Sequence, residues 1–158
     1  MKSRMKILVV FYSRSGNTRK TGQEIAKTLR ADADEIMEKE DRGGLLGYMK
    51  GGMDALSNKK SELVGGGKDA SEYDLVIIGT PVWAARLPPP VRAYADANRG
   101  KVKKFAAFCT CGGSGGKQNF KEMERILGLG AQATLEVYER EVKSGAYAEK
   151  VAGFCGKL

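Results

Sequence analysis

Apolar residues fall into short blocks separated by polar and amphipathic stretches. The first block, Ile7, Leu8, Val9, Val10 and Phe11, is unbroken. A continuous apolar run of this length predicts a strand covered on both faces, as in a parallel sheet. Asp74 to Thr80 (DLVIIGT) and Lys104 to Thr110 (KFAAFCT) have the same character. Ala133 to Tyr138 (ATLEVY) alternates and predicts an edge strand, and Ala33 to Met37 is the weakest strand, supported mainly by its place between two helical patterns. Helical spacing appears at Ile25, Ala26 and Leu29, and again at Leu45, Met49, Met53 and Leu56, where Gly47, Gly51 and Gly52 weaken it. Pro88, Pro89 and Pro90 precede Val91, Tyr94 and Ala95, which places prolines at or before a helix start. Phe120, Met123, Ile126 and Leu127 form one amphipathic helix; Tyr147, Val151 and Phe154 mark a last one. Strand and helix thus alternate five times. The expected architecture is α/β, three-layered, a five-stranded parallel sheet with helices on both faces and right-handed crossovers. No repeat or domain boundary interrupts residues 1–158, so a single domain is expected.

In such a sheet, ligands bind beyond the carboxyl ends of the strands, where strand order reverses. Three loops leave predicted strand ends with unusual chemistry: Ser13 to Thr18, Pro81 to Pro90 and Cys111 to Lys117. They should converge on one site. In the first, Ser13, Arg14, Ser15, Gly16, Asn17 and Thr18 make a turn of hydroxyl and amide side chains around one glycine, followed at once by a helix. Such a turn aims backbone N–H groups and the positive end of a helix dipole at one point, and its natural ligand is a phosphate. The alternative is an ordinary side-chain N-cap. No Gly-Lys-Ser/Thr follows, so this is not a Walker A loop. Gly16 is the only glycine between Ser13 and Thr18, so it is not a dinucleotide fingerprint either. One terminal monoester suits it better than a pyrophosphate. Of the other glycine clusters, Gly65 to Gly67 reads as a surface connection, whereas Gly112, Gly113, Gly115 and Gly116 follow a strong strand, where backbone can approach a ligand closely.

Composition narrows the chemistry. The chain has no histidine, which excludes Ser-His-Asp and Cys-His catalysis and disfavours a transition-metal site. Neither Cys109 nor Cys111 has an arginine at the distance of a Cys-x5-Arg phosphatase loop. Chemistry is therefore expected to come from a cofactor, with no catalytic side chain and no metal ligand predicted. Three cysteines, two of them one residue apart, fit a reducing compartment rather than disulfide stapling. No apolar run approaches the roughly 20 residues of a membrane span. The opening MKSRMKILVVFYSRSGN reads as a first strand rather than a secretory signal, because no small-residue cleavage site follows it. A cytoplasmic location is the expectation. The net charge of +8 arises from 27 scattered Lys and Arg with few interleaved aromatics, which argues against nucleic acid and for a solvated surface facing an acidic protein or an anionic substrate.

On these loops the chain resembles the flavodoxin-like family of flavin mononucleotide (FMN) proteins over nearly its whole length. SRSGNT places Ser13, Ser15, Gly16 and Thr18 at the positions of the family's phosphate loop. TPVW, comprising Thr80, Pro81, Val82 and Trp83, is similar to the loop flanking the isoalloxazine ring. CTCGGSGG, from Cys109 to Gly116, falls where the second ring loop belongs. The resemblance implies strand order 2-1-3-4-5, FMN as cofactor, and ring contacts from Val82, Trp83 and Ala84 and from Thr110, Cys111, Gly112, Gly113 and Gly116. Trp83, the only tryptophan, would stack on the ring; its alternative is a core residue.

Three departures stand out against the family pattern. The chain is basic where electron-carrying flavodoxins are usually strongly acidic, and Arg86, Arg92 and Lys117 lie close in sequence to the ring loops. If they face the flavin, a less negative potential for the second reduction step is expected. No glycine occurs between Val82 and Leu87, where flavodoxins often use one for a peptide flip that supports one-electron shuttling. The second ring loop lacks an aromatic, which leaves one ring face open to a substrate. The resemblance thus implies either an electron carrier between protein partners or an FMN-dependent oxidoreductase using NAD(P)H, a quinone or a related small molecule. A non-redox module binding another phosphate ligand is the third alternative.

Overall fold

The computed structural model describes residues 4–37, 63, 66–84 and 86–158. The helical pattern from Leu45 to Leu56 lies outside the described residues, as does Gly65. The elements run β1 (Ile7–Phe11), α1 (Asn17–Leu29), β2 (Asp32–Glu35), a short 3-10 turn (Ala70–Glu72), β3 (Leu75–Pro81), α2 (Pro89–Ala97), β4 (Phe105–Cys111), α3 (Gly116–Leu127), β5 (Thr134–Tyr138), α4 (Glu139–Ser144) and α5 (Tyr147–Cys155). The five strands form one sheet in the order β2-β1-β3-β4-β5, every adjacent pair parallel.

The unbroken apolar runs have a simple cause. Successive side chains of a strand point to opposite faces. Leu8, Val10, Val76, Ile78, Phe105 and Ala107 enter one core with Val91 and Tyr94 of α2 and Phe120 and Met123 of α3. Ile7, Val9, Phe11, Ile77, Ala106 and Phe108 enter the other with Ile25 and Ala26 of α1 and Val151 and Phe154 of α5. Both faces are buried, so no polar alternation survives in β1, β3 or β4.

The weakest predicted strand begins one residue and ends two residues earlier than expected, at Asp32–Glu35, and contains three acids. Its carboxylates anchor other elements. Asp32 accepts from the Tyr73 hydroxyl at 2.7 Å, Asp34 from the Lys68 N–H at 3.0 Å, and Glu35 from the Arg19 guanidinium at 2.6 Å. The C-terminal region adds a helix that the hydrophobic pattern did not announce. Gly145, at φ 87°, separates α4 from α5, and Glu141 accepts from the Tyr138 N–H at 2.8 Å, tying the start of α4 to the end of β5. The helix after the triple proline begins at Pro89, with prolines in its first turn where the missing N–H costs nothing.

Candidate functional site

The carboxyl ends of β1, β3 and β4 are neighbours in the sheet, and the loops that leave them are joined to one another in pairs. Thr18, in the first turn of α1, meets Thr110 of β4 through a buried hydroxyl–hydroxyl hydrogen bond of 2.7 Å. The Val82 N–H donates to the Thr110 carbonyl at 3.2 Å, joining the second loop to the third. Tyr12, the residue before the hydroxyl turn, meets the Trp83 ring edge-on, with centroids 5.5 Å apart and planes at 76°. Convergence of the three loops, expected from the fold, is thus a feature of the structure.

The hydroxyl turn is not a side-chain N-cap. The N-cap of α1 is Gly16 at φ 102°, a left-handed conformation suited to glycine, and no side chain caps the helix. The Ser13 hydroxyl accepts from the Gly16 N–H at 3.1 Å and closes the turn, while the first bond from helix to cap is from the Lys20 N–H to the Gly16 carbonyl. Among the described residues the N–H groups of Asn17, Thr18 and Arg19 therefore keep the donor capacity that a helix N-terminus leaves over. Ser15 and Arg14 are exposed beside them, and Ser13, Gly16 and Asn17 are half-buried. Arg19 lies at the rim with its guanidinium on Glu35, which raises its pKa through the hydrogen bonds between them. This donor set fits one phosphate: convergent N–H groups, hydroxyls and the positive helix end, with no carboxylate among the turn residues.

Around the second loop, Thr80 and Pro81 end β3, and the Thr80 hydroxyl donates to the Pro81 carbonyl at 2.7 Å. Trp83 and Arg86 exchange backbone hydrogen bonds of 2.7 and 3.2 Å, so the chain turns back on itself after Trp83. Ala84 follows at φ 48°, a left-handed position that glycine takes without strain. A loop without glycine thus holds an alanine in a conformation that favours glycine. Trp83 is 8% exposed and belongs to the core cluster that includes Tyr12 and Leu87, with Val82 packed at its edge. It is a core residue, and its one described ring partner is Tyr12, beside the hydroxyl turn.

The third loop combines a closed and an open part. Cys111 ends β4 with its side chain in the α3-facing core, alongside Cys109. The two thiols interact: the interaction with Cys111 raises the pKa of Cys109, with burial adding to the effect, and the interaction with Cys109 lowers that of Cys111. Gly112 and Gly113 are exposed, and a Cβ on either would meet nothing within 4 Å. Gly116 is buried, and a Cβ there would come within 2.8 Å of the Cys109 sulfur and 2.9 Å of the Glu136 carboxylate. Its glycine is a packing requirement where α3 meets β4 and β5. The N-cap of α3, Gly115 at φ 106°, again lacks a side-chain cap, so two helix N-termini at this end of the sheet are left to other partners.

The structure also corrects one charge and adds two residues. Arg92 does not project from the ring loops. It is buried at 3% exposure, donating to Glu122 at 3.0 Å and to the Leu87 carbonyl at 2.8 Å. Its charge is compensated within the α2–α3 seam. Tyr12, adjacent to the hydroxyl turn and edge-on to Trp83, reads in the sequence only as the end of an apolar run. Asn119, in the first turn of α3, is fully buried, and neither its amide nitrogen nor its amide oxygen has a partner among the described residues. Nothing in its sequence context sets it apart from a surface helix position.

A parallel sheet in this order, with a phosphate-ready helix N-terminus and two further loops at the strand-order switch, defines a nucleotide-type binding protein of the doubly wound class. The chain belongs to the flavodoxin family: the family model described as "Flavodoxin" matches residues 6–129. Among solved structures, the chain is similar to a flavoprotein from Lactobacillus acidophilus crystallised in complex with FMN (TM-score 0.73, 24% identity, 90% of this chain and 99% of that one). A candidate flavoprotein from Bacteroides uniformis aligns with TM-score 0.76 at 20% identity over 92% of this chain and 99% of its own. Oxidised flavodoxin 1 from Bacillus cereus aligns with TM-score 0.53 at 19% identity over 94% and 97%. Comparison with curated protein sequences finds no match.

Proposed function

We propose that the protein binds FMN and works as a redox carrier, passing electrons between protein partners, with residues 1–158 acting as one FMN-binding domain. The observation that carries this reading is the uncapped, glycine-opened N-terminus of α1, joined through Thr18 and Thr110 to the two other loops. The FMN phosphate would sit on the N–H groups after Gly16, with the hydroxyls of Ser13, Ser15 and Thr18 and the amide of Asn17 in reach. The ring would lie between the Thr80–Ala84 loop and the Thr110–Gly113 loop, held by backbone groups of Val82 to Ala84 and of Cys111 to Gly113. When bound, FMN supplies the electron chemistry. The chain's own work is to fix the phosphate, wall the ring with Trp83 and set the charge around it. The family, and the FMN carried by the Lactobacillus acidophilus flavoprotein, support the reading. Among the described residues no helix is long and apolar enough to cross a membrane, which is consistent with a cytoplasmic carrier.

A second reading, an FMN-dependent oxidoreductase taking NAD(P)H or a quinone directly, draws on the open space beside Gly112 and Gly113, which leaves room for a small substrate at the ring loop. Steady-state turnover with NADPH and a soluble quinone separates the two. A carrier reduced by an added flavin reductase passes electrons to cytochrome c and shows negligible turnover without the reductase. Turnover with NADPH and quinone alone establishes the enzyme.

A further inference from the structure

Beside the ring-loop turn, a groove of about 330 Å³ runs along one face of α3, lined by Arg86, Gln118, Lys121, Glu122 and Arg125. The α3 positions fall at helical i, i+3, i+4 and i+7 spacing, so they share one face, and Arg86 closes it from the Trp83–Arg86 turn. None of the residues proposed to touch FMN lines this groove. Its charge is unbalanced. Glu122, the only acid among the described lining residues, is engaged by the buried Arg92 at 3.0 Å. Arg86, Lys121 and Arg125 form no ion pair with any described residue, and all three are exposed. Three cations around one small concavity repel one another, and that repulsion is relieved when an anion enters. Two guanidinium forks suit the tetrahedral oxygens of phosphate, and three positive charges call for more than one negative charge. A volume of about 330 Å³ has room for a small phosphorylated molecule.

We propose that this groove is an anion site that takes the phosphate groups of a small phosphorylated electron donor or acceptor and thereby sets it beside the ring loops. Its purpose rests on the flavoprotein reading above; its binding does not. The probe is inorganic pyrophosphate, titrated calorimetrically at low ionic strength into the FMN-loaded protein, in which the α1 turn is already filled. Wild-type protein binds it, and the Lys121→Ala/Arg125→Ala double variant binds it at least about tenfold more weakly, while FMN affinity stays unchanged. Alanine on exposed helix positions preserves the fold. Parallel titrations with NADP+ and NAD+ distinguish the source: tighter NADP+ binding, lost in the double variant, assigns the phosphates to a dinucleotide, whereas equal binding of the two assigns them to a smaller phosphorylated compound. The proposal is overturned if wild type does not bind pyrophosphate, or if the double variant binds it as tightly as wild type. Should FMN itself fail to bind, the same pair of titrations on the protein alone still decides the groove, so the two failures are distinguishable.

Discussion

Thr18 and Thr110 form the smallest unit on which the site depends. Both are buried, and the two hydroxyls are hydrogen-bonded to each other at 2.7 Å. Valine at position 110 keeps the shape, yet leaves the Thr18 hydroxyl buried without a partner, at a cost of about 2 kcal/mol. Chemical denaturation of Thr110→Val should show that loss, and Thr110→Ser should recover most of it. Other single residues act through space or backbone angle. Gly79 faces Phe108 so closely that a Cβ would fall 2.0 Å from the ring, which explains a glycine in the middle of a buried strand. Ala84 pays for its left-handed φ with strain that a glycine would remove. The phosphate turn was legible at this scale, because its residue types are also its chemistry. Asn119 and the compensation of Arg92 were not, because both depend on what faces a helix from another element.

Polar ties join elements of this protein in addition to their apolar faces. Arg92 joins α2 to Glu122 on α3 and to the loop carbonyl of Leu87, all at low exposure. Removing one partner of a buried pair is far costlier than never having it. Glu122→Ala should therefore lower stability by about 3 kcal/mol, measured by urea unfolding, whereas Lys121→Ala next to it changes little. β2 has the same logic. Its Asp-Ala-Asp-Glu sequence has no apolar signature, and its strand identity comes from pairing with β1 and from the groups its carboxylates receive. The inner strands were readable because burial on both faces writes an uninterrupted apolar run, and β5 because one buried face writes an alternation, while the acidic edge strand β2 writes nearly nothing. The Tyr73 hydroxyl on Asp32 offers a pH test of this anchoring. Burial, then the hydrogen bond to Asp32, push its pKa from 10.0 up to about 12. The neutral phenol is favoured in the folded state, so its contribution is complete below pH 10 and is lost as pH rises toward about 12. Denaturation midpoints should fall across that window in wild type and fall less steeply in Tyr73→Phe.

At the scale of the whole molecule, the net charge of +8 separates this chain from the acidic pattern usual in electron-carrying flavodoxins. With Arg92 compensated by Glu122, the positive field near the ring loops comes from Arg86 and Lys117 and from the overall excess of Lys and Arg. Positive charge favours the more negative, reduced cofactor. A spectroelectrochemical titration should place the second reduction step at a less negative potential than in acidic flavodoxins, and Arg86→Glu should move it down. A second potential as low as in the acidic proteins would remove charge as the controlling factor. The parallel sheet and the convergence of three loops followed from the alternation of patterns along the chain, whereas the strand order was implied by the resemblance to the flavodoxin-like family. The pairwise ties among those loops, through Thr110, Val82 and the Tyr12–Trp83 contact, required the folded structure.

The central claim is that the turn after β1 holds the phosphate of FMN, and one titration tests it directly. Quenching of flavin fluorescence should be followed with FMN and with riboflavin, which lacks the phosphate, for wild type and for Gly16→Ala, whose side chain would be strained at φ 102°. The account predicts tight binding of FMN by wild type, with riboflavin weaker by about 3 kcal/mol or more, the scale of several hydrogen bonds to a charged group. It also predicts that Gly16→Ala narrows the gap by weakening FMN alone. Equal affinity for the two flavins, or no binding of either, would contradict it.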